Sequence, residues 1–188
     1  MKAKRVRGLQ ADMPLADAAE RIVRVRLGEL CDLAAQSQTP ESVRQLHDTR
    51  IAAKRLRYVL EITAPCFGPY APSATKRAKE IQDLLGEIHD CDVMLPRLAS
   101  VSERLRDKDA AYLVGMSLDA EPPNADAYRG LERLAVELTA RRAKLFADWL
   151  VLWRDLLRRG FAARLEHAIT ERQQIDGAGE PAAATVEG

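Results

Sequence analysis

The 188-residue chain has few of the features that mark secreted, redox or membrane proteins. Its three cysteines, Cys31, Cys66 and Cys91, lie far apart and form no C-x-x-C pair, and no secretory segment opens the sequence. No apolar run approaches the ~20 residues that a membrane span requires. We therefore expect a protein of the reducing cytoplasm with no membrane partner.

An excess of charge of one sign is also missing. The chain has 29 Lys and Arg residues against 28 Asp and Glu residues, for a formal net charge of +1. Because the total is almost neutral, only a local cluster of charge can attract a charged partner.

The common catalytic signatures are absent. The sequence contains no H-E-x-x-H, no G-x-x-x-x-G-K-[ST] and no G-x-S-x-G. His89, Asp90 and Asp92 with the distant His47 form a weak metal set, because adjacent helix positions point apart and no His-x-x-x-His occurs. We predict that the protein is not an enzyme and has no catalytic residues, metal ligands or cofactor.

What the chain contains instead is a series of helix patterns. Apolar residues that recur every three or four positions predict long helices over about 14–36, 40–64, 73–95 and 126–159. A weaker, charged segment over 96–118 predicts a short or bent helix, and a last helix follows Gly160. Strand-like alternation is missing, so we predict an all-α antiparallel helical bundle of four long helices plus one or two shorter ones.

The chain ends differ in composition from this bundle. The composition of residues 1–13 predicts a mobile basic arm, and residues 14–172 are predicted to form the bundle. Residues 173–188, rich in Gly, Ala, Glu and Pro, predict a disordered tail.

One stretch, residues 44–61, holds no Gly or Pro and carries a basic stripe. At about 100° per residue, the side chains of His47, Arg50, Lys54 and Arg57 fall within an arc of roughly 80°. The stripe rises by ~5 Å per turn and could therefore follow a chain of repeated phosphates.

The stripe is flanked by apolar residues on both sides, whereas a surface helix usually sets its charges opposite its apolar face. Leu46, Ala53 and Leu60 lie on one side, and Ile51, Tyr58 and Ile62 lie on the other. This pattern places the cations at the edge of a core or on the wall of a cavity. There they need carboxylates, water or an anionic ligand.

The other long helices also carry cations near their apolar faces. Arg26 lies in the first, Lys79 in the third and Arg142 in the last long helix. Gly86 interrupts the polar side of the third helix, where it suggests close approach by another backbone or a ligand. Two interpretations stay open: an internal salt network that uses Glu61, Asp83, Glu87 and Asp90, or a cationic site for a polyanion.

Two segments resemble the CHAD family, the conserved histidine α-helical domain. They are His47-Asp-Thr-Arg-Ile-Ala-Ala-Lys-Arg-Leu-Arg-Tyr58 and Ile81-Gln-Asp-Leu-Leu-Gly-Glu-Ile-His-Asp-Cys-Asp-Val93. The resemblance covers about residues 14–98 and is looser through 149–165. It implies an α-helical domain that binds inorganic polyphosphate in a basic cavity and is often associated with polyphosphate granules. Family members commonly contain two bundle halves, each with its own histidine motif, whereas this chain shows one.

From the residues and the resemblance together we predict non-enzymatic binding of inorganic polyphosphate. The predicted binding residues are Arg26, His47, Arg50, Lys54, Arg57, Lys76, Lys79, Gln82 and Arg142. The predicted supporting residues are Tyr58, Glu61, Asp83, Gly86 and Asp90.

Two functional alternatives and two further expectations accompany this prediction. The alternatives are a metal-dependent phosphohydrolase acting on polyphosphate or triphosphate and a purely structural salt network.

No specific nucleic-acid partner is expected, because aromatic residues are not interleaved with the basic stripe. Because one basic stripe would leave the ligand open on one side, we also predict a homodimer through Ile51, Tyr58 and Ile62.

Overall fold

The computed structural model describes residues 2–117 and 119–171. They form five α-helices, which are α1 (Leu15–Gln36), α2 (Val43–Thr63), α3 (Ala71–Leu113), α4 (Ala125–Arg158) and α5 (Phe161–Thr170). A short 3-10 turn, Ala64–Cys66, follows α2, and no strand occurs within these residues. The predicted all-α bundle is therefore confirmed, whereas the predicted tail over 173–188 lies outside the described residues.

The helices pack in chain order around one apolar core. α1 packs on α2, α2 on α3 and α3 on α4, and α5 contacts α1, α3 and α4. Leu30, Leu56, Ile81 and Trp149 are fully buried between them. Each such side chain contributes about 1.5–3 kcal/mol through removal of apolar surface from water. The Trp149 indole also donates a hydrogen bond of 2.9 Å to the carbonyl of Ser37, which fixes the turn between α1 and α2 against α4.

The predicted division into two helices at Pro96 is wrong, because α3 runs without interruption through 43 residues. A proline in a helix interior costs about 3 kcal/mol, since it lacks the N–H donor and crowds the preceding turn. Here Pro96 is exposed, while the helix on both sides of it is held by α4. Asp92 pairs with Arg142, and Leu98 is buried, so tertiary contacts outweigh the local cost.

The predicted mobile arm is anchored to α1. The backbone N–H of Lys4 donates to the Glu29 carboxylate, and its ammonium lies 2.6 Å from Asp32. Arg21 donates to the carbonyl of Gly8 at 3.2 Å. Residues 2–13 form no helix or strand, but these contacts hold them along the first helix instead of leaving them free.

Candidate functional site

The basic stripe of α2 faces α3, and three contacts fix the antiparallel alignment of the two helices. The rings of His47 and His89 lie 4.8 Å apart between centroids. Arg57 donates to the side-chain oxygen of Gln82 at 3.3 Å. Between them, Arg50 Nε lies 3.4 Å from the position that a Cβ on Gly86 would occupy. The stripe from residue 47 to residue 57 therefore runs for about 15 Å along α3.

We call this region the basic groove. It contains His47, Arg50, Lys54, Arg57, Lys76, Lys79, Gln82 and His89. Lys79 belongs to it because it precedes Gln82 by three residues and Gly86 by seven, which places it on the same side of α3. Lys76 extends the positive charge by one further turn toward the start of α3.

The two flanks of the stripe differ in their surroundings. Leu46, Ala53 and Leu60 are fully buried in the core. On the other flank, Tyr58 is 44% exposed and Ile62 is 76% exposed. The cations therefore lie at the edge of the core, which is one of the two settings that the sequence pattern predicts. An anion can reach them from the solvent side.

Tyr58 and Glu61 support the end of the stripe. The cationic groups of Lys54 and Arg57 lie 5.6 and 5.0 Å from the centroid of the Tyr58 ring. These are distances at which a cation is attracted to the face of an aromatic ring. Arg57 also donates to Glu61 at 2.8 Å, and this hydrogen bond raises the pKa of the guanidinium. The Arg57 side chain is thus held in place by a ring, a carboxylate and Gln82.

Several groove cations lack a close carboxylate. Within the described ranges, Lys54 and Lys76 form no ion pair, and the buried Nε of Arg50 has no hydrogen-bond partner. Lys79 lies 3.7 Å from Asp83, a distance that leaves its charge only partly compensated. Asp90, predicted as a supporting residue, is 82% exposed and lies 3.6 Å from His89.

His89 is a groove residue that the sequence pattern indicates only as part of a weak metal set. It follows Gly86 by three residues and Gln82 by seven, so helical spacing alone places it on the side of α3 that faces α2. The Nδ1 atoms of His47 and His89 are both buried without a hydrogen-bond partner among the described residues.

The surroundings of His47 disfavour its positive charge. Burial lowers the pKa of His47 first, and the neighbouring His89 and Arg50 lower it further against an opposing effect of Asp48. Around neutral pH the His47 imidazole is therefore uncharged.

The approach at Gly86 comes from a side chain, which corrects the expectation of a backbone or ligand. The guanidinium of Arg50 lies over the glycine, at ordinary contact distance from the point where a methyl group on residue 86 would lie. A side chain larger than alanine at residue 86 would displace Arg50 from the groove.

Arg26 and Arg142 are engaged elsewhere, so the structure does not support their assignment to the binding site. Arg26 pairs with the almost fully buried Glu29 and donates to the carbonyl of Lys4 at 3.1 Å. Arg142 pairs with Asp92 and donates to the carbonyl of Pro40 at 2.7 Å. Both arginines tie elements of the fold together, through carboxylates other than the four that the salt-network alternative names.

Features of other kinds of site lie outside the basic groove or are missing. In residues 2–117 and 119–171, no group of three or more His, Cys, Asp and Glu side chains is arranged to hold a metal ion. None of the helices described there combines the length and apolarity that crossing a membrane demands. A cavity of about 300 Å³ between α3 and α4 is lined by Leu98, Ser102 and Leu131 and lies away from the basic groove.

Fold and site together define an all-α bundle with a row of cations along one pair of antiparallel helices. The family model for the CHAD domain matches residues 2–99, slightly more than half of the 188 residues. The chain therefore belongs to the CHAD family, whose members are associated with polyphosphate and triphosphate. A search of curated proteins and a search of solved structures each gave no match.

Proposed function

We propose that this protein binds inorganic polyphosphate without hydrolysing it, and that the basic groove is the binding site. The single observation that carries the proposal is the row of groove cations with unused charge and hydrogen-bonding capacity. Arg50, Lys54 and Lys76 face one edge of α2 and α3 without close carboxylates among the described residues. A chain of phosphates would supply the missing negative charge at the spacing of helical turns.

The groove offers different kinds of contact along its length. Arginine can hold phosphate oxygens in two-pronged contacts, whereas lysine supplies a compact charge. Gln82 supplies a neutral amide donor, because its oxygen already accepts from Arg57. Glu61 and Tyr58 keep Arg57 extended along the groove, which lowers the entropy lost when a ligand binds.

The decisive test removes two groove cations. We expect Arg50→Ala combined with Lys54→Ala to weaken binding of long-chain polyphosphate at least tenfold, about 1.4 kcal/mol. The control is Arg129→Ala combined with Arg158→Ala, which removes the same charge from two exposed positions outside the groove. Fluorescence titration at fixed ionic strength measures affinity, and circular dichroism confirms the helices. Equal affinity of the two double variants would overturn the site.

Competition separates the proposal from nucleic-acid binding. Duplex DNA of equal phosphate concentration should displace labelled polyphosphate only weakly, because the groove matches a thin single chain along two helices. Displacement by DNA at the same concentration as by unlabelled polyphosphate would indicate an unspecific polyanion site.

The phosphohydrolase alternative makes a different prediction. We expect no release of orthophosphate from polyphosphate or triphosphate with Mg²⁺ or Mn²⁺ present. Turnover that disappears in Asp90→Asn would establish the enzyme, because Asp83, Glu87 and Asp90 are the carboxylates beside the groove that could serve a metal.

The family association also suggests a cellular location. We propose that the protein acts in the cytoplasm and at polyphosphate granules, where its ligand is concentrated. A fluorescent fusion should overlap with stained granules, and the Arg50→Ala/Lys54→Ala variant should be diffuse.

A further inference from the structure

The far parts of α3 and α4 extend beyond the rest of the bundle. α2 begins at Val43, and because His47 is level with His89, the start of α2 lies only about one turn beyond His89 along α3. α5 lies at the opposite end, where the N–H of Gly68 bonds to the carbonyl of Ala168 at 3.0 Å. Among the described residues, 94–113 of α3 and 125–138 of α4 therefore pack mainly on each other. We call these two segments the distal hairpin.

Polar contacts fix the alignment of the distal hairpin. Arg106 pairs with Glu132 at 2.6 Å, and the Tyr128 hydroxyl donates to the carboxylate of Asp109. Burial and this hydrogen bond raise the pKa of Tyr128 to about 12. The pairs show which residues of the two antiparallel helices are level with one another.

One broad face of the hairpin is apolar on both helices. Spacing of three and four residues places the members of each helix on one side, next to the contact between α3 and α4. Met94 and Leu134 are each 41% exposed, and the others are partly buried. We call this face the distal apolar surface: Met94, Val101, Leu105 and Leu134. Beside it, Leu131 lines the cavity between α3 and α4, and Leu138 packs against the main core.

The apolar character is confined to this part of the two helices. One heptad before Met94 and one heptad after Leu134, the same face carries the ion pair between Glu87 and Arg141, at 2.7 Å. The opposite face of the hairpin carries the exposed ion pair between Arg106 and Glu132. The distal apolar surface is thus bounded at its inner end by an ion pair, and the opposite face combines an ion pair with the cavity between α3 and α4.

We propose that the distal apolar surface binds the same surface of a second copy of this chain. A two-fold axis parallel to the helices would place α3 of each copy on α4 of the other. The four helices would then form an antiparallel bundle with the apolar residues inside.

Charges beside the apolar residues favour this arrangement. The outer edge of α3 carries Asp90, Arg97 and Arg104 at intervals of seven, and that of α4 carries Glu137 and Lys144 at the same interval. An axis parallel to the helices keeps residues at their own level. Glu137 of the second copy then lies between the levels of Arg97 and Arg104, and its Lys144 lies near Asp90. Such flanking pairs select the partner and the orientation of helices in bundles.

Other arrangements fit less well. A two-fold axis perpendicular to the helices would bring Arg97 and Arg104 of the two copies together, and like charges repel. The flank of the basic stripe, where the sequence predicts a dimer, is also less suitable. Of the three residues predicted there, Ile51 is partly buried, and Tyr58 is 44% exposed but contacted by Lys54 and Arg57. Ile62 is the third and is 76% exposed, so the flank offers two exposed apolar side chains.

The first test compares two arginine substitutions on opposite faces of the same helix. Leu134→Arg lies in the distal apolar surface, and Val136→Arg lies on the polar face, where Val136 is 70% exposed. We expect wild type and Val136→Arg to sediment at twice the mass of the 20.9 kDa chain, and Leu134→Arg to sediment as a monomer with unchanged helix content. A monomeric wild type at every concentration, or equal dissociation of both variants, would overturn the proposal.

The second test keeps the apolar residues and exchanges the charges. Arg97→Glu combined with Arg104→Glu should weaken self-association at least tenfold, since both carboxylates would face Glu137 of the second copy. Adding Glu137→Arg should restore it. If adding Glu137→Arg does not restore dimerisation, the two-fold axis is not parallel to the helices. This conclusion holds even if Leu134→Arg has dissociated the dimer.

Discussion

Gly86 is the groove residue above which the Arg50 side chain lies. At Gly86, the guanidinium of Arg50 lies above the helix, with its Nε 3.4 Å from the position of an added Cβ, so a methyl group fits there at ordinary contact distance. A glycine inside a helix costs about 1 kcal/mol relative to alanine. Glycine at residue 86 therefore lowers helix stability, but it leaves room for Arg50, which most larger side chains would displace.

We predict opposite effects of two substitutions at this position. Gly86→Ala should raise the free energy of unfolding by up to about 1 kcal/mol, with polyphosphate affinity close to wild type. Gly86→Leu should lower the affinity at least threefold, because it displaces Arg50. Chemical denaturation and polyphosphate titration measure the two quantities. Similar affinities of both variants would show that Arg50 does not depend on the space above residue 86.

The lowered pKa of His47 predicts a pH dependence of stability. The pKa of His47 lies below its ordinary value of 6.5 in the folded protein, so the unfolded chain binds more protons between these two values. The free energy of unfolding therefore decreases as the pH falls through this window and is fully recovered above the unfolded pKa.

We expect His47→Gln to reduce this loss of stability between about pH 7.5 and pH 5.5. The control is His167→Gln, which changes an exposed histidine at the far end of α5. Denaturant unfolding at each pH provides the measurement. If the free energies of unfolding of wild type and His47→Gln differ by the same amount at every pH, the lowered pKa of His47 is contradicted.

At the scale of the helices, α3 shows how a long element accommodates an interior proline. The residue lacks an N–H for the carbonyl of Asp92, while α4 holds the helix before and after it. We predict that Pro96→Ala stabilises the protein by up to about 3 kcal/mol in chemical denaturation. Pro72→Ala is the control, since proline is tolerated in the first turn of a helix. A destabilised Pro96→Ala variant would mean that the fold requires a local bend there.

The same helix marks the limit of what the sequence could predict. Helix existence followed from apolar spacing, and the predicted first helix, about 14–36, agrees with α1 at Leu15–Gln36. The continuation through Pro96 depends on contacts with α4, which are remote in sequence and leave no local pattern. The anchoring of the arm was missed for the same reason, because its partners Glu29 and Asp32 lie in α1.

The candidate site was predictable to a similar degree. Spacing alone placed four groove residues of α2 on one face, since a single helix defines their positions. It could not show that Arg142 is occupied by Asp92 and Pro40, which come from other elements. It also gave no way to recognise that His89 meets His47 until α2 and α3 were aligned.

At the scale of the whole molecule, a nearly neutral chain concentrates cations along one helix pair. Repulsion among these cations opposes folding, and the proposed binding of a polyanion would relieve it. At a free concentration of 100 times Kd, a ligand that binds only the folded state stabilises it by about 2.7 kcal/mol. For a domain of this size we expect the melting temperature to rise by roughly 5–10 °C.

We predict that Arg57→Met reduces this thermal shift and that added salt reduces it in wild type, because polyphosphate binding releases counterions. Differential scanning calorimetry with and without polyphosphate gives both comparisons. Concentrated sulfate should produce a smaller shift of the same sign. A melting temperature indifferent to both anions would favour the purely structural salt network.

The stacked indoles of Trp149 and Trp153 give the protein a built-in optical reporter. They are the two tryptophans of the chain, both are buried in the core, and their rings lie 5.6 Å apart. The distal hairpin carries Tyr112 and Tyr128. Indole emission therefore follows the opening of the main bundle, whereas tyrosine absorbance responds to the hairpin as well, because Tyr58 and Tyr70 lie in the main bundle and Tyr112 and Tyr128 in the hairpin. Two probes that diverge on heating would reveal a molecule that melts in two stages from its extended end inward.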